Sequence, residues 1–319
     1  MKLDSVAPEL RRSVTRIPRL PLRPKWVLRG VRALARRHSP GDPVKGVAVD
    51  IVDEGGQGMR VYTPAGDRSG AALLWVHGGG YVIGDALQDE VFCSATAHAL
   101  GIVVVSTNYR LAPEHPFPAA LDDTFAAWEW LGRSAESLGI DRERVAVGGG
   151  SAGAGLAACL VQRLYDAGGT QPVAQWLFAP MADDRTAARR ELDQVQHRVW
   201  NNAANRLGWG AYLGAEPGGP RTPDYAAAAR RTDLRGLPPA WISVGDIDLF
   251  TEECRAYAER LREAGVDCTF DLVPGAPHGF ETWAPDTRIS RELLERGRAW
   301  LGARLTGTTA QAPGEGETV

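Results

Sequence analysis

The chain has 319 residues, 44% of them hydrophobic and 24% charged, with a formal net charge of −3. That is the composition of a globular protein with a large buried core. It argues against nucleic-acid binding through a basic surface, and no apolar run approaches the roughly 20 residues of a membrane-spanning helix.

Residues 1–45 are rich in Arg and Pro, with amphipathic pieces around Pro8–Thr15 and Lys25–Arg37. Arg29, Arg32, Arg36 and Arg37 fall near helical spacing, with Val27, Val31 and Leu34 on another face. This pattern predicts a surface helix with a solvated charged side rather than a membrane anchor. The first residues lack the apolar stretch of a secretory signal. Cys93, Cys159, Cys254 and Cys268 are scattered and form no CxxC pair. They read as buried thiols, so a cytoplasmic location is expected.

Val47–Asp53 and Met59–Thr63 alternate apolar and polar residues around Glu54-Gly55-Gly56-Gln57-Gly58, which predicts a hairpin. Six short apolar runs follow: Ala72–His77, Ile102–Thr107, Arg144–Gly148, Ala174–Ala179, Ala240–Gly245 and Cys268–Val273. Between and after them lie helical patterns at Glu90–Leu100, Pro118–Gly132, Ala152–Ala167, Thr251–Ala264 and Ile289–Leu305. Apolar strands alternating with helices predict an α/β fold with an eight-stranded, mostly parallel sheet and helices on both faces. The stretch from Met181 to Pro238 is too long for a simple crossover. As an insertion at a strand's C-terminal end, it is placed to cover a ligand site. From Thr306 the composition turns to Thr, Gly, Pro, Ala and Glu, so residues 306–319 read as a disordered tail.

Chemistry concentrates at the strand ends. Gly148-Gly149-Gly150-Ser151-Ala152-Gly153 stands between a predicted strand and a predicted helix. A Gly-x-Ser-x-Gly turn in that setting lifts the serine hydroxyl above the sheet edge, with the next helix's amides aimed at it. Taken alone, the same pattern also fits a phosphate-binding or merely packed turn. The loop His77-Gly78-Gly79-Gly80-Tyr81 follows the third strand. Its backbone can approach a ligand without an intervening Cβ, and such a loop supplies oxyanion donors together with the amide of the residue after the serine, Ala152. A serine needs a base oriented by an acid, in the chain order Ser, Asp or Glu, His. His278 stands between Pro277 and Gly279 after the eighth strand; His38, His98, His115 and His197 read as structural or solvated. Asp246 and Asp248 are both candidates for the acid, and Asp248 is preferred because it is nearer the helix that starts at Thr251. Asp246 otherwise caps its loop, and Glu252 and Glu253 favour that helix's first turn through its dipole.

These residues resemble the hormone-sensitive-lipase-like bacterial carboxylesterase family of α/β-hydrolases. The resemblance spans about residues 45–305. It is carried by His77–Gly80, Asn108–Ala120, Gly149–Gly153, Asp248–Phe250 and His278–Phe280. It implies an α/β-hydrolase domain over 46–305, with a helical cap built from 1–45 and an insertion at about 181–238. It implies Ser151, His278 and Asp248 as the catalytic triad and Gly79, Gly80 and Ala152 as oxyanion donors. By the same resemblance His77 is a structural hydrogen-bonding residue, Arg110 and Glu114 are structural ions, and Asp122 and Asp123 anchor the following helix. Many members carry Asp at the position of Gly150, Gly at that of Ala154 and Pro at that of Leu249.

The activity implied is hydrolysis of small or short-acyl carboxylic esters through an acyl-enzyme, with no metal or cofactor. Tyr81, Trp200 and Trp209 are the candidate substrate contacts, with Asn201, Asn202, Tyr212 and Trp283 nearby. The expected partner is a small ester, with no nucleic acid and no membrane. A homodimer through the last strand or its following helix is common in the family. An amidase, lactonase or acyltransferase would use the same triad. A binding-only role, as in the gibberellin receptor, goes with loss of the histidine that this chain keeps.

Overall fold

The computed structural model describes residues 2–17, 25–35, 41–54 and 56–307. The proposed tail therefore lies outside the described residues from position 308 onward, and His38 lies outside them too. Eight strands form one sheet: β1 Val47–Glu54, β2 Gln57–Pro64, β3 Ala72–Val76, β4 Val103–Thr107, β5 Val145–Gly150, β6 Gln175–Phe178, β7 Ala240–Gly245 and β8 Cys268–Val273. Their order is β1-β2-β4-β3-β5-β6-β7-β8. The hairpin β1–β2 is antiparallel, β2 joins β4 antiparallel, and every other pair is parallel. Glu54 pairs with Gln57, so the hairpin turn is tighter than the five-residue connection expected.

The helices are α1 Arg11–Arg16, α2 Lys25–Ala35, α3 Glu90–Leu100, α4 Ala119–Leu138, α5 Ala152–Ala167, α6 Asp184–Ala188, α7 Asn202–Leu213, α8 Thr251–Glu263, α9 Phe280–Trp283 and α10 Arg288–Thr306. The apolar strands feed two cores because successive side chains point to opposite faces. Ala72, Leu74 and Val76 join one core with residues of α4, α5 and α8. Leu73 and Trp75 join the other with residues of α1, α3 and α10. The second core is aromatic: Trp75 lies 4.4 Å from Phe92, and Phe178 lies 4.8 Å from Trp176 and 4.9 Å from Trp241, between ring centroids. Gly297 of α10 makes room for this layer, since a Cβ there would lie 3.0 Å from Trp176 Nε1.

Helix α4 runs past the Gly132 expected to end it. Its C-cap is Gly139, left-handed at φ 65°. Gly132 stays inside the helix, where a Cβ would come 3.0 Å from the Arg142 guanidinium. A helix-stop glycine sits just past the last buried turn, and here that turn carries Ala135. The four cysteines are buried and unpaired.

Between β6 and β7 the chain from Met181 to Pro238 carries α6 and α7. Asp184, fully buried, gathers it: Arg230 Nε donates to Asp184 Oδ1 at 2.7 Å, and the Gly218 amide donates to Oδ2 at 2.6 Å. Glu253, expected on the outer first turn of α8, is buried instead; its Oε1 accepts the amides of Ala182 and Asp183 at 2.8 and 3.2 Å. It anchors the start of the insertion rather than serving the helix dipole alone. The segment Asn108–Ala120 is braced by ions: Arg110 Nη2 donates to Asp123 Oδ1 at 2.7 Å, and Arg32 of α2 donates to Glu114 at 3.0 Å. Among the described residues no helix is long and apolar enough to cross a membrane.

Candidate active site

Strand β5 delivers Ser151 to the sheet edge, and α5 starts at the next residue. Ser151 has φ 54° and ψ −118°, a strained backbone for a residue with a side chain. The flanking glycines make that turn possible. A Cβ on Gly153 would lie 2.1 Å from the Val76 carbonyl oxygen, and one on Gly149 would lie 2.5 Å from the Gly153 carbonyl carbon. Ser151 is pinned further by its amide, which donates to the Phe178 carbonyl at 2.7 Å.

His278, in the loop after β8, places Nε2 at 2.8 Å from Ser151 Oγ. Its Nδ1 lies 2.7 Å from Asp248 Oδ2, in the loop after β7. The network assigns the tautomer: Nδ1–H donates to the carboxylate, which leaves the Nε2 lone pair facing the serine. Asp248 Oδ1 accepts the Phe250 amide at 2.9 Å, so the carboxylate is fixed at both oxygens. Burial opposes charge on His278, but the facing charge and hydrogen bond of Asp248 outweigh it and raise the imidazole above its ordinary 6.5. Asp246 is not in this chain of bonds; its Oδ1 accepts the Gly275 amide at 2.7 Å and braces the loop that leads to His278. Both carboxylates at this strand end thus have work, and only Asp248 touches the histidine.

The loop after β3 lies beside the serine, with a Cβ on Gly78 falling 3.5 Å from that of Ser151. The amides of Gly79, Gly80 and Ala152 have no acceptor among the described residues. Gly80 has φ 60°, and a Cβ there would lie 2.1 Å from Trp200 Cη2. His77 stacks on Tyr109 with ring centroids 4.2 Å apart, and its Nδ1–H donates to the Gly78 carbonyl at 2.7 Å. Burial lowers its pKa to about 4, so it stays neutral and shapes the loop.

A cavity of about 380 Å³ opens on Ser151 and His278. Trp200 lines it, as expected, together with Asn201 and Trp283. Tyr81 and Trp209 do not. Both are buried beneath the loop: Tyr81 stacks on Tyr212 at 4.1 Å, lies 5.2 Å from Trp209, and donates its hydroxyl to the Met181 carbonyl at 3.2 Å. Loop proximity suggested substrate contact, but Tyr81 turns inward and ties the glycine loop to the insertion. Tyr212 and Asn202 are buried away from the cavity too.

Sequence reading missed several cavity walls. His197, taken as structural or solvated, lines the cavity, and burial lowers its pKa. Val31 of α2 reaches the cavity, which the amphipathic pattern hinted at without giving a direction. Trp75, Asp89, Phe92, Phe178 and Glu281 also line it. Burial pushes the Asp89 carboxyl up to about 6 despite its hydrogen bond from Trp75, and pushes Glu281 up to about 7. No local signal marks a strand tryptophan or a helix-capping aspartate as a cavity wall.

The comparisons agree with this architecture. A family profile described as an α/β hydrolase fold matches residues 73–282. The chain is 36% identical over 256 residues to carboxylesterase NlhH of Mycobacterium tuberculosis, covering 77% of this chain and 78% of that protein. It is 35% identical over 226 residues to ethyl acetate hydrolase of Pseudomonas putida, covering 70% of each. Among solved structures, a bacterial heroin esterase superposes with a TM-score of 0.88 at 33% identity, covering 96% of this chain and 99% of that one. Esterase LipW of Mycobacterium marinum gives 0.82 at 32% identity, covering 97% and 98%. With its sheet order, its serine turn and these likenesses, the chain belongs to the α/β-hydrolase fold family, in its hormone-sensitive-lipase-like carboxylesterase group.

Proposed function

We propose that this chain is a serine carboxylesterase that hydrolyses small or short-acyl carboxylic esters. The observation that carries the reading is the unbroken hydrogen-bond chain Ser151–His278–Asp248 at the wall of a cavity. Esterase relatives along most of the chain support it.

In this mechanism Ser151 Oγ attacks the ester carbonyl carbon while His278 Nε2 takes its proton. Asp248 holds the ring and stabilises the imidazolium that forms. The amides of Gly79, Gly80 and Ala152 receive the oxyanion, and each such donor contributes on the order of 3–4 kcal/mol. His278 then protonates the leaving alkoxide, which departs as the alcohol. Water, deprotonated by the same nitrogen, cleaves the acyl-enzyme and frees the acid. Every step uses the chain's own groups.

The segments 1–45 and 181–238 serve as a cap, since Val31 comes from one and His197 and Trp200 from the other. The bounded cavity favours short acyl groups over bulk lipid. Dimerisation through the open sheet edge at β8 or through α10 belongs to this reading and is measured by light scattering on the eluting protein. The unpaired thiols fit a cytoplasmic location.

The test is hydrolysis of p-nitrophenyl esters from acetate to long acyl chains by wild type and Ser151→Ala. Turnover confined to short chains and lost in the variant is expected. A folded wild type inert toward every ester would refute the reading in favour of amide, lactone or transfer chemistry, or of binding alone.

A further inference from the structure

The insertion lends the catalytic cavity a polar edge. His197, Val199, Trp200 and Asn201 all line the cavity. Tight turns build this stretch: the His197 amide donates to the Val195 carbonyl at 2.8 Å, and the Trp200 amide to the Arg198 carbonyl at 2.8 Å. At the centre of the second turn Val199 has φ 68°. That marks the rarer, strained γ-turn, which a β-branched residue adopts only where its surroundings impose it. The surroundings are firm on the C-terminal side. Trp200 packs against Gly80, and Asn201 Oδ1 caps α7 by accepting the Ala204 amide at 3.0 Å.

This turn holds hydrogen-bonding groups at the cavity without using them. His197 Nδ1 is buried, which leaves Nε2 for a ligand, and Nε2 has no partner among the described residues. Asn201 Nδ2 has none there either, since only Oδ1 is engaged. By contrast Trp75, Thr282 and Trp283, in the same wall, have their donors committed to Asp89, Gly279 and His278. Burial lowers the pKa of His197, so its ring is neutral at pH 8. His197 also borders a cleft that Asp248 lines, and the charges of Asp248 and His278 both act on it. It therefore stands on the side of Ser151 where His278 protonates the leaving alcohol.

A neutral imidazole offers Nε2 as donor or acceptor according to its tautomer, and the Asn201 amide offers N–H. A hydroxyl both donates and accepts, so it can meet either group. A hydrocarbon in its place would strip water from both nitrogens and return no hydrogen bond. We propose, on the reading that the chain hydrolyses esters, that His197 and Asn201 select esters whose alcohol part carries a further hydroxyl, as in monoesters of diols and polyols.

The test pairs 2-hydroxyethyl butyrate with propyl butyrate, in which methyl replaces hydroxyl, and reads kcat/KM from released acid at pH 8. The hydroxyl-to-methyl ratio is compared between wild type and variants, which cancels the intrinsic reactivity of each ester. His197→Phe keeps a ring without a polar atom, and Asn201→Ser keeps a cap for α7 but shortens the donor. Each is expected to lower the ratio about fivefold. His197→Gln sets an amide nitrogen near the place of Nε2 and is expected to hold the ratio within about twofold of wild type. Ethyl 3-hydroxybutyrate and ethyl 3-methylbutyrate form the matching acyl-side pair, whose ratio should stay within about twofold throughout.

A fall of about threefold or more in His197→Phe that His197→Gln restores supports the proposal. A smaller fall, a fall that His197→Gln does not restore, or a change confined to the acyl-side pair overturns it. Should His197→Phe fail to fold, Asn201→Ser decides by the same threshold. Turnover of p-nitrophenyl acetate but not of 2-hydroxyethyl butyrate refutes the hydroxyl selection alone. A folded wild type inert toward all of these esters refutes the hydrolase reading and this proposal with it.

Discussion

Replacing Asp248 with Asn separates geometry from charge in the bond chain that ends at Ser151. The amide is isosteric and its oxygen still accepts from the Phe250 amide, as Oδ1 does at 2.9 Å. What changes is the partner of His278 Nδ1, now 2.7 Å from a carboxylate oxygen. Asp248 is 6% exposed, so the carboxylate and the imidazolium formed in the transition state attract each other largely unscreened by water. With the charge centres about 4 Å apart and an effective dielectric near 20, that attraction is about 4 kcal/mol, or roughly a thousandfold in rate. The amide NH2, if turned towards Nδ1, also favours the tautomer with its proton on Nε2, which cannot accept from the serine. The combined loss in comparable triads is on the order of ten-thousandfold. We expect kcat/KM for p-nitrophenyl acetate to fall by three to four orders of magnitude, with thermal unfolding little changed. Asp246→Asn is the control, because its amide oxygen can still accept from Gly275; activity should stay within about tenfold of wild type. An Asp248→Asn enzyme within tenfold of wild type, or an equal loss in Asp246→Asn, would refute the assignment of the acid.

The raised pKa of His278 sets the sign of the pH dependence: protonated imidazole cannot accept from Ser151, so kcat/KM rises with pH through a midpoint above 6.5, and a pH–rate profile with a midpoint below 6.5 contradicts it. Gly153→Ala places a methyl 2.1 Å from the Val76 carbonyl oxygen, whereas Gly150→Ala meets only Trp75 Cζ2 at 3.9 Å. The first should lower unfolding stability by several kcal/mol and the second by less than about 1 kcal/mol, as read by urea titration. Glu90, buried, accepts from Arg60 Nε at 2.6 Å and from Tyr62 Oη at 2.8 Å. Arg60→Ala strands that carboxylate and should cost about 3–5 kcal/mol in the same titration, while a loss below 1 kcal/mol would show that water reaches it.

The sheet was legible because each strand is a short apolar run with turn residues at its ends, and because Gly149 and Gly153 announce a turn that only small residues allow. His278 was legible because Pro and Gly exclude a helix interior there, and Asp248 because chain order left two aspartates two residues apart. The cavity walls were not legible. Trp75 looks like any strand residue and Asp89 like a helix-start carboxylate; what brings them to the cavity wall is the packing of Phe92 on α3 against Trp75 of β3 and Phe178 of β6. His197 was misread since its importance comes from where a long insertion lands. Tyr81 failed for the converse reason: adjacency to the glycine loop says nothing about which way a ring turns, and Met181, a hundred residues away, settles it.

Trp200 occupies the space that any side chain at position 80 would claim. On the proposed reading the ring is a mould for the oxyanion loop as well as a wall for the ligand, so recognition and rate enhancement would share one contact between two segments far apart in sequence. An insertion grafted from a relative would have to bring a flat ring to the same point, or it would change turnover while being meant to change only selectivity. Withdrawal of the insertion would likewise leave Gly80 without its backing, so that an uncovered serine is also a poorly supported one. Coupling of this kind would guard the nucleophile against unselected esters without a dedicated lock.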